Sequence, residues 1–126
     1  MIWTVLQVAL GGGIGAVARH LTSVGAMRLV GPGFPWATLA VNVLGSFLMG
    51  LLVVVLAHQT GGTRAAPFLV TGVLGGFTTF SAFSLDALTL WERGQGGLAL
   101  GYVAASVLLS LAAIAAAMLV TRAVYQ

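Results

Sequence analysis

Four stretches of this chain, about residues 2–21, 36–57, 65–91 and 98–120, are apolar almost throughout. Each matches the roughly 20 residues that an α-helix needs to cross a bilayer. In hydrocarbon every backbone N–H and C=O must be satisfied within the protein, which leaves helices or closed barrels as spanning structures. Barrel strands alternate polar and apolar side chains over about ten positions, and these stretches do not. The expected fold is an all-α integral membrane protein with four transmembrane helices, forming one domain over residues 1–126. Charge supports this. Only 6% of residues are charged, namely five arginines, Asp86 and Glu92, against about 25% in a soluble domain. With a mean hydropathy of +1.10 there is too little polar surface to cover a soluble globule. Soluble enzymes and nucleic-acid-binding domains are therefore not expected. The isoelectric point near 10.8 reflects scattered arginines, not a basic patch. The absence of cysteine removes disulfides and thiolate chemistry.

The connectors are short and polar: 23–35, 58–64 and 92–97. Pro32, Gly33 and Pro35 break the chain before the second span, and Gly61-Gly62 and Gly96-Gly97 mark the other turns. The first stretch lacks a basic start and carries its arginine at its far end, which argues against a cleaved signal peptide. Four crossings put Arg64 and Arg122 on one side, and Arg28 and Arg93, with Arg19 near the end of span one, on the other. So small a bias gives no orientation by the positive-inside rule. Either the sequence hides its topology, or copies insert both ways and pair antiparallel.

Four packed helices fill their own interior, so a transport path calls for a second subunit. Gly11 and Gly15 form a GxxxG pair, read as close helix packing. Polar residues within spans are costly and face a partner or an aqueous path. Thr38, Asn42, Gly45, Ser46 and Met49 share one face of span two by helical spacing. Tyr102, Ser106, Ser110, Ala113 and Ala117 share one face of span four. Both stripes offer neutral donors and no fixed charge. Each alone is read first as interhelical hydrogen bonding.

Span three is unusual. Gly72, Gly75 and Gly76 with the pair Thr78-Thr79 are poor helix formers at its middle. A helix broken at mid-membrane depth is expected, with a flexible kink as the alternative. A break frees backbone groups that protein, water or ion must satisfy. Phe80 and Phe83 follow, three apart, beside Ser81 and Ser84. Such rings are ordinarily packing residues, but their electropositive edges can also face an anion. Arg28, Arg64, Arg93, Arg122 and Glu92 read as interface anchors. Asp86 and Arg19 both lie one or two turns inside the same side, and a pairing between them is left open. His20 and His58 are too isolated for a metal site.

Three blocks carry a family resemblance: Gly12-Gly13-Ile14-Gly15-Ala16-Val17-Ala18-Arg19, Thr38-Leu39-Ala40-Val41-Asn42-Val43-Leu44-Gly45-Ser46-Phe47, and Gly75-Gly76-Phe77-Thr78-Thr79-Phe80-Ser81-Ala82-Phe83-Ser84. In length, in four spans and in the order of the blocks, the chain resembles the Fluc (CrcB-type) fluoride channels. Ala82, between the two Ser-Phe steps, is a small change. The resemblance implies an antiparallel, dual-topology homodimer in a bacterial cytoplasmic membrane, with two pores for passive export of fluoride. It implies that Asn42 hydrogen-bonds the ion and that Phe80 and Phe83, drawn from both subunits in one pore, turn ring edges toward it. Ser81, Ser84, Ser106 and Ser110 match polar pore positions, and Tyr102 a position near them. Gly75 and Thr78 match residues whose carbonyls hold a structural sodium ion at the dimer interface. Arg19 matches an arginine serving the vestibule or the fold.

Two other classes fit a chain of this size. A small dual-topology multidrug-type exporter needs a membrane-buried carboxylate, for which Asp86 is the candidate. A non-transporting assembly subunit needs none.

Overall fold

Nothing in the sequence between Ile2 and Val30 stops a helix strongly, and the computed structural model, which describes residues 1–59 and 62–126, has one helix there. This α1, Ile2–Val30, outruns the apolar stretch that suggested it, because residues 22–30 contain no proline and several apolar side chains. It ends where Gly31 takes a φ of 75°, a conformation natural to glycine, with its N–H on the Met27 carbonyl at 3.1 Å. Pro32 then forbids continuation. The connector expected over 23–35 thus shrinks to the residues between Val30 and Trp36. Helix α2 is Trp36–His58. The turn expected at Gly61-Gly62 lies partly outside the described residues; a 3-10 turn follows, Gly62–Ala65.

The third span is in two pieces. Pro67–Leu74 is wound as a π-helix and continues into a short α-helical turn, Gly75–Phe77; together these form α3. Helix α4 is Phe80–Glu92. A turn with Gly94 at a φ of 80° leads to α5, Gly96–Val124. Four segments, Ile2–Val30, Trp36–His58, Pro67–Glu92 and Gly96–Val124, are long and apolar enough to cross a membrane. The protein is an all-α, multi-pass membrane protein with its third span broken.

Apolar burial between helices gains little in lipid, so close van der Waals contact must hold them together. Glycine provides it. Helix α1 lies against α3 so closely that a Cβ on Gly15 would strike the Val73 carbonyl, and one on Gly11 the Phe68 carbonyl. From the other side, a Cβ on Gly76 would sit 2.5 Å from the Gly12 carbonyl oxygen. The GxxxG pair is therefore a backbone-to-backbone seam. Helix α2 packs along α5, where a Cβ on Gly50 would meet the Ile114 carbonyl oxygen at 2.6 Å. Helix α4 rests on α5 through Leu90, Ala99 and Tyr102, with Phe34, Leu39, Phe83 and Ala87 around them. Most other large apolar side chains, such as Leu108 and Leu111, are exposed. They present the hydrocarbon surface that a bilayer requires.

Candidate functional site

The break is two residues long. Thr78 has φ −85° and ψ 157°, and Thr79 has φ −153° and ψ 118°, both extended. This is a true interruption, not a flexible kink. In an unbroken helix the Thr79 N–H would reach the Gly75 carbonyl, and the Ala82 N–H the Thr78 carbonyl. Instead, Thr79 N–H donates to Asn42 Oδ1 at 2.8 Å and Ala82 N–H to Thr79 Oγ1 at 3.1 Å. The second contact makes Thr79 the N-cap of α4. The carbonyls of Gly75 and Thr78 thereby lose their helical donors.

Three neighbours hold the break in shape. Asn42 Nδ2 donates to the Thr79 carbonyl at 3.1 Å, so one side-chain amide meets both backbone groups of that residue. Arg19 Nε donates to the Gly76 carbonyl at 3.1 Å. A guanidinium at the C-terminal end of α3 both satisfies a loose carbonyl and complements the helix dipole. Thr78 places its N–H and its Oγ1 on the Leu74 carbonyl at 3.0 and 2.9 Å. Its methyl lies where a Cβ on Gly45 would be, which explains the glycine in the polar face of α2.

Beside the break runs an open groove of about 320 Å³ between α2, the break, α4 and α5. Its polar walls are Asn42, Ser46, Thr78, Thr79, Ser106 and Ser110. Its apolar walls include Met49, Phe80, Phe83 and Ile114. Among the described residues, no charged side chain lines it. Ser106 is 6% exposed, and its hydroxyl has no hydrogen-bond partner among the described residues. A buried hydroxyl in that condition is costly, and Ser106 belongs to the groove wall. Phe80 is 78% exposed, with its ring 5.5 Å from that of Phe83. Phe83 is half-buried and packs on Tyr102 at 5.3 Å.

The two stripes read from helical spacing thus converge. Asn42, Gly45, Ser46 and Met49 from α2 meet Ser106 and Ser110 from α5, with Phe80 and Phe83 between. Thr38 and Tyr102 stand outside the groove. Tyr102 is fully buried behind Phe83, with Phe34 edge-on to it at 5.5 Å. Its hydroxyl donates to Asp86 Oδ2 at 3.2 Å. A pairing of Arg19 with Asp86, open from the sequence, does not form, since Arg19 serves Gly76 and Asp86 serves Tyr102. Ser81 and Ser84 are exposed and are not groove walls; Ser84 Oγ donates to the Phe80 carbonyl at 3.0 Å. Gly75 is exposed and Thr78 half-buried. From the sequence alone, Thr79 has no role beyond its place in a motif. A threonine just before the second half-helix is nevertheless a capping signal.

The chain is similar to a family of known proteins over nearly its whole length. The family described as "CrcB-like protein, Camphor Resistance (CrcB)" matches residues 6–118. Among curated relatives, the "Fluoride-specific ion channel FluC" of Cereibacter sphaeroides is 68% identical over 122 residues, covering 97% of each chain. The protein of the same name from Paracoccus denitrificans is 58% identical over 122 residues, again 97% of each. That from Caulobacter vibrioides is 52% identical over 123 residues, 95% of this chain and 96% of the relative. With the broken span, the polar groove and these relatives in agreement, the chain belongs to the CrcB-like family.

Proposed function

We propose that this protein is a fluoride channel that lets the ion leave a bacterial cytoplasm passively. The observation that carries the reading is the groove: neutral donors on one wall, two phenyl rings on another, and no fixed charge among the described residues. A small anion must give up its water to neutral hydrogen-bond donors and electropositive ring edges. A full positive charge would hold the ion too long for conduction, and neutral walls suit release. The electropositive N-terminal end of α4 opens at the groove beside Phe80. In this reading Asn42 donates an N–H to fluoride, and the orphan Ser106 hydroxyl and Ser110 donate further along. Ser81 and Ser84, exposed on α4, serve a polar track that only a second copy would complete.

The functional unit in this proposal is an antiparallel homodimer. The groove is open on one side and Phe80 is uncovered in the single chain, so a second copy would close the path. A sodium ion fits the chemistry of the break. The Gly75 and Thr78 carbonyls have lost their helical donors, and hard cations take oxygen ligands. Two copies would contribute four such oxygens, and the ion would supply positive charge at the interface. The exporter alternative gains nothing, because it needs an available carboxylate and Asp86 is engaged by Tyr102.

The test is fluoride efflux from liposomes carrying the purified protein, with chloride as control. Rapid fluoride efflux without a proton gradient is expected, and chloride should stay inside. Asn42→Asp replaces a donor by an acceptor-only, negative group. It should lose flux by at least tenfold while remaining a dimer on gel filtration. Wild-type flux in that variant would remove Asn42 from the path, and no efflux by the wild type would remove the function.

A further inference from the structure

Asn42 is the only asparagine in the chain, and its amide is committed in a way that fixes its sense. An extended residue turns its own N–H and C=O toward the same edge, as in an antiparallel pair. Thr79 is extended, and both of its backbone groups are met by the Asn42 carboxamide: N–H to Oδ1 at 2.8 Å, and Nδ2–H to O at 3.1 Å. A backbone N–H only donates and a backbone C=O only accepts. A flipped amide would set N–H against N–H and oxygen against oxygen, losing both bonds at once. The second Nδ2–H has no protein partner among the described residues, and Asn42 lines the groove.

We propose that the Thr79 backbone is the positioning group that fixes the polarity of the Asn42 amide, so that the groove meets an N–H and never the amide oxygen. The inference rests on the fluoride reading and deepens it. The nearly isosteric ends of a carboxamide would otherwise exchange, and a flipped amide would present an acceptor that repels an anion. The extended step in the third span then has a use beyond freeing carbonyls. It turns a residue that could face either way into a donor for anions only.

Two measurements test this on the full-length dimer. With ¹⁵N in the asparagine side-chain amide, the protein has one side-chain asparagine signal with two distinct protons. Fluoride titration should move one proton several-fold more than the other, which stays on the Thr79 carbonyl. The second measurement replaces the Thr79 peptide N–H by an ester oxygen, using the hydroxy-acid analogue of threonine. Flux should fall at least tenfold with the dimer intact. Because the ester also weakens the adjoining Thr78 carbonyl, the same ester is read by ¹⁵N as well, where the two Asn42 protons should no longer differ in their response to fluoride. The same replacement at Gly97, in the first turn of α5 where N–H groups lack helical partners, should leave flux unchanged. Equal movement of both protons, movement of neither, or wild-type flux in the Thr79 ester would overturn the lock while leaving a conducting wild type as a fluoride channel. Absence of wild-type efflux would instead overturn the fluoride reading, and the lock's purpose with it.

Discussion

Phe80 and Phe83 stand three residues apart on one helix, yet their surroundings differ. Phe83 is wedged between Phe80 and the buried Tyr102, whereas Phe80 is 78% exposed. This difference separates packing from ion contact. Volume-conserving apolar swaps usually cost under about 1.5 kcal/mol. Phe83→Ile should lower thermal stability within that limit, and Phe80→Ile should leave the isolated chain's packing almost unchanged. If the ring edges stand in for water around fluoride, both variants should nevertheless lose most of their efflux at matched protein density. Phe80→Tyr and Phe83→Met should keep more, because each retains an aromatic edge or a polarisable surface. Near-wild-type efflux in both isoleucine variants would return the rings to ordinary packing.

Among the elements, the broken third span depends on backbone shape more than on side-chain volume. Thr78 shows why. Its φ of −85° is near that of proline, but its N–H caps Leu74, and the residue before it, Phe77, is helical. Proline would remove that bond and push Phe77 out of its helical conformation. Serine would keep the hydroxyl that binds Leu74 and delete only the methyl packed on Gly45. Thr78→Ser should therefore cost only the dispersion contacts of one methyl, on the order of a few tenths of a kcal/mol, and conduct nearly normally. Thr78→Pro should lose dimer on gel filtration and flux in liposomes. Equal behaviour of the two variants would mean that the backbone at this step does not matter.

At the scale of the whole molecule, the loop arginines divide almost evenly between the two ends of the helices. His58 and Tyr125 stack at 4.2 Å, which brings the end of α2 and the C-terminus to one face, the face of Arg64 and Arg122. Arg28 and Arg93 lie toward the other, with Arg19 deeper on the Gly76 carbonyl. So small a bias sets no single orientation, and the proposed antiparallel pair requires insertion in both directions. Adding two lysines to the 58–64 connector should drive most chains one way, as read by reporter fusions at the C-terminus. Fluoride resistance should then fall, and co-expression of a copy biased the opposite way should restore it. Wild-type fusions that all report one orientation would exclude the pair.

The sequence by itself determined the features set by local chemistry: four apolar lengths, the breaking of the third by Gly75, Gly76 and two threonines, and the polar faces of spans two and four. These come from helical spacing and backbone propensity, which need no neighbour. Helix ends were less legible. Helix α1 continues to Val30 because no proline interrupts it before Gly31, and the few polar residues from Arg19 to Arg28 do not end a helix. Partnerships were not legible at all. Arg19 holds Gly76, Asn42 holds Thr79, and Tyr102 holds Asp86. Two of these pairs join groups 57 and 37 residues apart. Spacing along one helix carries no information about which residue of another helix will face it. Only the packed glycine seam of α1 against α3, and α2 laid beside the break, decide that a half-buried amide meets a bare stretch of backbone.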